Sequence, residues 1–180
     1  MKTNIKKIVI IATVAALYTL LTYLSAALGL AYGAVQFRLS EALMVLAIFS
    51  PEAIWGLALG CVLGNIASPL GVVDILCGTL ATVLAAICIR FVASKFQNDL
   101  VKCFFVALFT AVFNAIIIGA EIVLIMIPQE ASFTLFLLNA FQVLIGELVV
   151  CLAFCYPLIE SVKNNRYLSR FFNIKKEILK

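Results

Sequence analysis

The feature that most constrains this chain is a nearly unbroken series of apolar runs. They cover roughly Ile8–Leu28, Leu39–Phe49, Pro51–Ala67, Val72–Ala93, Leu100–Ile127 and Phe133–Pro157. Runs this long and this closely spaced exceed what one soluble core can hide, so lipid must cover most of them. Hydrophobic residues make up 65% of the 180 positions and charged residues only 12%, about half the soluble average of roughly 25%. At about 20 residues per crossing, the length allows six spans and leaves almost nothing for an extramembrane domain. The expected fold is all-α: one polytopic membrane domain over residues 1–180 with six transmembrane helices.

The breaks between runs carry helix-start chemistry. Ser50-Pro51-Glu52 offers an N-cap followed by proline at the first helical position, and Asn98-Asp99 and Ser132 offer further caps. Pro69-Leu70-Gly71 separates the third run from the fourth. Fusing the second and third runs would make a helix of about 44 Å, well beyond a hydrocarbon core of about 30 Å.

Basic residues give a second test of the span count. With six spans and the N-terminus inside, Lys2, Lys6, Lys7, Arg90, Lys95, Lys102 and the six basic residues from Lys163 to Lys180 are all cytoplasmic. Only Arg38 remains outside, as the positive-inside rule asks. Five spans would expose the 90–102 loop and the basic tail instead. Both termini are therefore expected in the cytoplasm. The tail over about 158–180 mixes apolar and basic residues, the pattern of a segment lying on an anionic leaflet and not of a nucleic-acid arm. Lys6-Lys7, the first run and Ser25-Ala26-Ala27 also look like a signal peptide. A run of about twenty residues exceeds the roughly 7–15 of such a region, so a retained helix is expected.

Several chemistries find no support. None of the six cysteines forms a C-x-x-C pair and the chain has no histidine, which argues against zinc, redox or disulfide roles. There is no G-x-x-x-x-G-K-[ST], no H-E-x-x-H and no G-x-S-x-G, so neither ATP hydrolysis by that route nor enzymatic activity is expected. No cofactor is implied.

Charges inside a span cost roughly 2.5–3.5 kcal/mol each on insertion scales, so those present need a reason. Arg38, Glu41, Asp74, Glu121 and Glu147 lie within or at the edges of spans, with Gln36, Asn65, Asn114, Asn139 and Gln142. In the six-span arrangement all but Glu147 fall in the outer half, on five different spans. Asn139 and Gln142 share a helical face, as do Asn114 and Glu121. Polar groups from many helices converging at one depth are what a solute site open to the outside requires. Structural roles stay open beside this one. Arg38 and Glu41, at i and i+3, can neutralise each other; Asp74 can cap its helix; the amides can bond between helices. Glu147 lies deeper and fits the outer cluster less well.

Small residues mark packing faces. Gly56, Gly60 and Gly64 form a GxxxGxxxG stripe, and Ala12 and Ala16 make a similar face on the first run, for internal packing or for a partner.

Two stretches carry a family resemblance. Val35-Gln36-Phe37-Arg38-Leu39-Ser40-Glu41-Ala42-Leu43 and Gly64-Asn65-Ile66-Ala67-Ser68-Pro69-Leu70-Gly71, continued by Val73-Asp74-Ile75-Leu76-Cys77-Gly78-Thr79-Leu80-Ala81-Thr82, resemble the QueT family. These are substrate-binding (S) components of energy-coupling factor (ECF) transporters for queuosine precursors. The resemblance implies a multi-pass protein of the bacterial cytoplasmic membrane that captures a 7-deazaguanine, such as 7-aminomethyl-7-deazaguanine or queuine, from outside. It implies partners as well: a transmembrane coupling (T) component and two cytoplasmic ATPases, with Ala12 and Ala16 matching the AxxxA docking face of the first helix. No nucleic acid is involved. The candidate substrate-binding residues are Arg38, Glu41, Asn65, Asp74, Asn114, Glu121, Asn139 and Gln142. A guanine-like edge offers two donors to a carboxylate, and an aminomethyl group is a cation that wants another. Rival readings are a self-sufficient carrier of small solutes, an S component for another heterocyclic vitamin, and a structural membrane protein whose polar cluster is interhelical glue.

The split of basic residues predicts a labelling pattern. An impermeant thiol reagent applied outside should modify Glu130→Cys and spare Lys176→Cys; the reverse pattern would end the six-span reading.

Overall fold

The computed structural model describes residues 2–32 and 35–172, with side chains from residue 4 onward. Among them there are helices and no strands. α1 covers Lys2–Ala27 and is followed by a 3-10 helix at Leu39–Ile48. α2 is Pro51–Asn65, α3 is Val72–Ala93 and α4 is Asp99–Glu121, prolonged by a π-helical turn at Ile122–Met126. After a short 3-10 turn at Pro128–Glu130 come α5, Phe133–Asn164, and α6, Arg166–Phe171. The element boundaries track the apolar runs closely.

α1 packs on α2, α2 on α3, α3 on α4 and α4 on α5, and all five touch the 3-10 helix between them. That helix is the centre of the protein: Ser40 through Ile48 are all buried. Its winding departs from an ordinary α-helix. Ten residues at about 2.0 Å each span about 20 Å, where an α-helix would give about 15 Å. The remaining surface is inverted relative to a soluble protein. Ile8, Leu20, Trp55, Leu76, Phe91, Phe133 and Phe141 are more than half exposed, while Arg38, Glu41, Glu121 and Glu147 are buried. Apolar outside and charged inside is the signature of a lipid-covered bundle. α1, α3, α4 with its π turn, and α5 are each long and apolar enough to cross a membrane.

The glycine stripe serves internal packing. A Cβ on Gly56 would stand 2.7 Å from Val14 Cβ, and one on Gly60 would stand 2.6 Å from Tyr18 Cβ and 2.9 Å from the Ala15 carbonyl. α1 therefore turns Val14, Ala15 and Tyr18 toward α2, and its Ala12 and Ala16 face outward, exposed. An equally close approach occurs on α5, where a Cβ on Gly146 would fall 2.0 Å from the Gln36 carbonyl oxygen.

Three expectations change in detail. α5 runs through Pro157 to Asn164, because Ile159 and Val162 bury against the core beyond it. A lone proline removes one hydrogen bond and bends a helix without ending it when packing continues. The tail is not wholly interfacial: Phe172 is buried against Phe49, with ring centroids 6.4 Å apart. Residues 173–180 lie outside the described residues. Asn98 and Ser132 do cap α4 and α5, but the Ser50 hydroxyl bonds Glu52 and leaves the start of α2 to Pro51. The six cysteines are free thiols, four of them buried.

Alanine at these glycines should loosen the bundle. Overpacking costs typically about 1–3 kcal/mol, only partly offset by the roughly 1 kcal/mol helix advantage of Ala over Gly. Thermal unfolding in one detergent should show Gly146→Ala as the more damaging, since backbone cannot rotate away as the Tyr18 side chain at Gly60 can.

Candidate functional site

The sequence after α1 does not stay at the end of the bundle; it plunges inward. Phe37 N–H bonds the Leu30 carbonyl at 2.9 Å, and the Gln36 backbone then lies directly on Gly146 of α5. This carries Arg38 and Glu41 into the interior, where they are 3% and 1% exposed. Ser25 Oγ receives the Leu39 N–H at 3.0 Å, and Thr22 donates to Ser40 at 2.9 Å, so α1 holds the start of the 3-10 helix. At the other end, Arg90 Nη1 donates to the Ile48 carbonyl at 2.5 Å.

Arg38 and Glu41 do not neutralise each other as a bonded pair. Arg38 Nη2 donates to Asn65 Oδ1 at 3.0 Å, while the Tyr18 hydroxyl donates to Glu41 Oε1. Asn65 in turn donates through Nδ2 to the Asp74 carbonyl oxygen at 3.1 Å and to Cys61 Sγ at 3.3 Å. Its position depends on Gly78, whose missing Cβ would meet Nδ2 at 2.6 Å. Asn65 is thus a strut joining the 3-10 entrance to α3. Asp74, in the first turn of α3, accepts from the Ser68 hydroxyl.

A cleft of about 110 Å³ opens beside this network. Asp74 and Glu121 line it, with Tyr32, Gln36, Ser68, Pro69, Leu70, Ile118, Ile122 and Met126. The π turn places Ile122 and Met126 on its wall immediately after Glu121, and π turns recur at functional sites. The cleft is smaller than the roughly 300 Å³ at which pockets for drug-sized ligands begin.

Of the residues singled out from sequence, Arg38, Glu41, Asn65, Asp74 and Glu121 come together. Asn114 and Asn139 are buried, but each turns its amide nitrogen onto its own helix, to Thr110 O at 3.0 Å and Leu135 O at 2.9 Å. Gln142 is only half-buried. Two residues that belong to the cluster were not among the candidates. Tyr18 is an aromatic in an apolar run and carried no polar signal. Glu147 did carry one, an acid inside a span, but its depth set it aside. The inward plunge of 36–38 brings the cluster down to it: Glu147 is fully buried, with Glu41 and Arg38 as its charged neighbours.

The charge inventory is lopsided. Glu41 Oε2, both oxygens of Glu121 and both of Glu147 are buried without a hydrogen-bond partner, as is Arg38 Nε. Leaving a buried charged group unpaired costs well over the 1–3 kcal/mol of a neutral one. Acceptor oxygens thus outnumber the donors around them.

These features define a helical membrane protein with an acid-rich interior and a small polar cleft beside it. The profile of the QueT transporter family matches residues 8–164, and the chain belongs to that family. It is similar to the queuosine precursor transporter QueT of Lactococcus lactis subsp. cremoris (strain MG1363), at 39% identity over 83 residues, 46% of this chain and 48% of that protein. The match spans about half the length of that curated relative. No solved structure matches.

The Tyr18 contact predicts a stability effect. Tyr18→Phe removes the one hydrogen bond that the described residues make to the Glu41 carboxylate, so it should cost about 1–3 kcal/mol. Denaturation midpoints in detergent read this directly; an unchanged midpoint would mean that the contact contributes nothing.

Proposed function

We propose that this protein is the substrate-binding S component of an ECF-type importer, a multi-pass protein of the bacterial cytoplasmic membrane with six spans and both termini inside. It captures a queuosine precursor of the 7-deazaguanine class from outside. The observation that carries this reading is the set of five buried carboxylate oxygens without a hydrogen-bond partner, two of them on Glu121 at the cleft wall and three on Glu41 and Glu147 in the interior. A deazaguanine presents N1–H and an exocyclic amine on one edge, a carbonyl on the same ring, and in the aminomethyl form an ammonium group. Acids suit the first and last, and a guanidinium or amide donor suits the carbonyl. A structural role as interhelical glue is disfavoured, because glue pairs its polar groups and these are unpaired.

Membership of the QueT transporter family and the name of the lactococcal relative support the same ligand class. The exposed Ala12 and Ala16, on the face of α1 turned away from α2, support docking of a transmembrane coupling component, with two cytoplasmic ATPases supplying energy. Admitting a bicyclic heterocycle requires the cleft of about 110 Å³ to widen.

Isothermal titration of the purified chain with 7-aminomethyl-7-deazaguanine tests the reading. Arg38→Gln, Asp74→Asn and Glu121→Gln should weaken binding by about thirty-fold or more while the fold survives, since a desolvated charge-assisted bond is worth about 2–5 kcal/mol. Binding like the parent in all three would place the site elsewhere. Replacing Ala12 and Ala16 by Leu should block uptake in cells and leave titrated binding intact; loss of both would mean that the face is internal packing.

A further inference from the structure

The cluster has two tiers, and they differ in charge. Glu121 and Asp74 line the cleft. Glu41 and Glu147 do not line it and are 1% and 0% exposed. α5 runs along the 3-10 helix between two contacts: Gly146 against the Gln36 backbone, and Cys151 Sγ donating to the Glu41 carbonyl oxygen at 3.7 Å. Glu147 stands between them, one helical turn from Cys151 and on the same face. Its charged neighbours are Glu41 and Arg38.

We infer that Glu147 and Glu41 together form a deep cation pocket that takes the ammonium group of the ligand, and that Glu121 reads the guanine-like edge. This rests on the functional reading above and deepens it. Two counts support the assignment. Charge is the first: with both acids ionised, the deep tier holds two carboxylates against the single guanidinium of Arg38, an excess that must be cancelled by a cation or by a proton taken up on one acid. An ammonium cancels it, whereas a neutral heterocycle edge would leave it standing. Donors are the second. An ammonium carries three N–H groups, and the deep tier offers three unpartnered carboxylate oxygens: Glu41 Oε2 and both of Glu147. Arg38 does not occupy them, since its Nη2 is directed to Asn65. Glu121, with both oxygens unpartnered on the cleft wall, suits two parallel N–H donors of a planar edge. Glu147 thereby becomes the residue that selects amine-bearing precursors.

The test compares 7-aminomethyl-7-deazaguanine with its 7-cyano analogue by isothermal titration. The parent should prefer the amine by about tenfold or more. Glu147→Gln should weaken the amine ligand by about thirty-fold or more and leave the nitrile within about threefold. Glu147→Asp, which keeps the charge, should retain the preference at reduced affinity. Glu121→Gln should weaken both ligands alike. A parent without preference overturns the inference, and so does a Glu147→Gln variant that loses both ligands equally or neither. Should Glu147→Gln fail to fold, the parent ratio and the aspartate variant decide. A parent that binds neither ligand sinks the functional reading itself, and the cation pocket with it.

Discussion

Everything in this protein is arranged around a helix buried on all sides. In hydrocarbon, a backbone N–H or C=O without a partner costs several kcal/mol. A helix end in the middle of a bundle therefore has to be satisfied by its neighbours. Ser25 from α1 takes the Leu39 N–H, and Arg90 from α3 covers the Ile48 carbonyl. With both ends tied, the 3-10 winding stretches ten residues over about 20 Å. It also repeats its faces every three residues, so Arg38, Glu41 and Met44 fall along one edge. The helix gives the interior its charge, and the surrounding helices hold it in place.

The close contacts follow from that centre. A bundle wrapped around an inner helix needs its outer helices near one another, and side-chain volume sets how near. Gly56 and Gly60 let α2 meet α1 at van der Waals distance, and Gly146 lets the backbone of the 36–38 segment lie on α5. The last of these bears on the charges as well as on packing. A Cβ at 146 would hold the 36–38 segment off α5, and with it the entry of Arg38 and Glu41 into the interior.

The sequence made the helix series legible because each run is long and the breaks carry recognisable caps. It also exposed Arg38, Glu41, Asp74 and Glu121, since charge in an apolar run has no cheap explanation. What escaped was depth. Counting residues from the end of a run assumes that every run starts at the surface, and the second does not. That one assumption moved Arg38 and Glu41 outward and set Glu147 aside. The 3-10 winding was equally hidden, because its apolar composition matches an α-helix and only the surroundings demand the extra length. Asn114 and Asn139 show a different limit of the sequence. Both are polar and buried as expected, yet their amide nitrogens serve their own helices.

The same residue types are treated in two ways, and the contrast separates structure from function. Away from the cleft, two partly buried acids are paired: Glu52 with Lys7 at 3.2 Å, and Asp99 with Lys163 at 2.7 Å and Lys102 at 3.4 Å. Those pairs pin α1 to α2 and the start of α4 to the end of α5. In the interior, where pairing matters most, no basic side chain forms an ion pair with Glu41, Glu121 or Glu147 among the described residues: Glu41 has one hydroxyl, and Glu121 has only the Asp74 carboxyl and the Cys77 thiol beside it. Nothing in the chain chemistry forbids lysine or arginine at a facing position, as the pairs at the other end show. The fold pairs acids at its periphery and leaves those at its centre without a basic partner, and that contrast is what supports reading the centre as a place for donors from outside the chain.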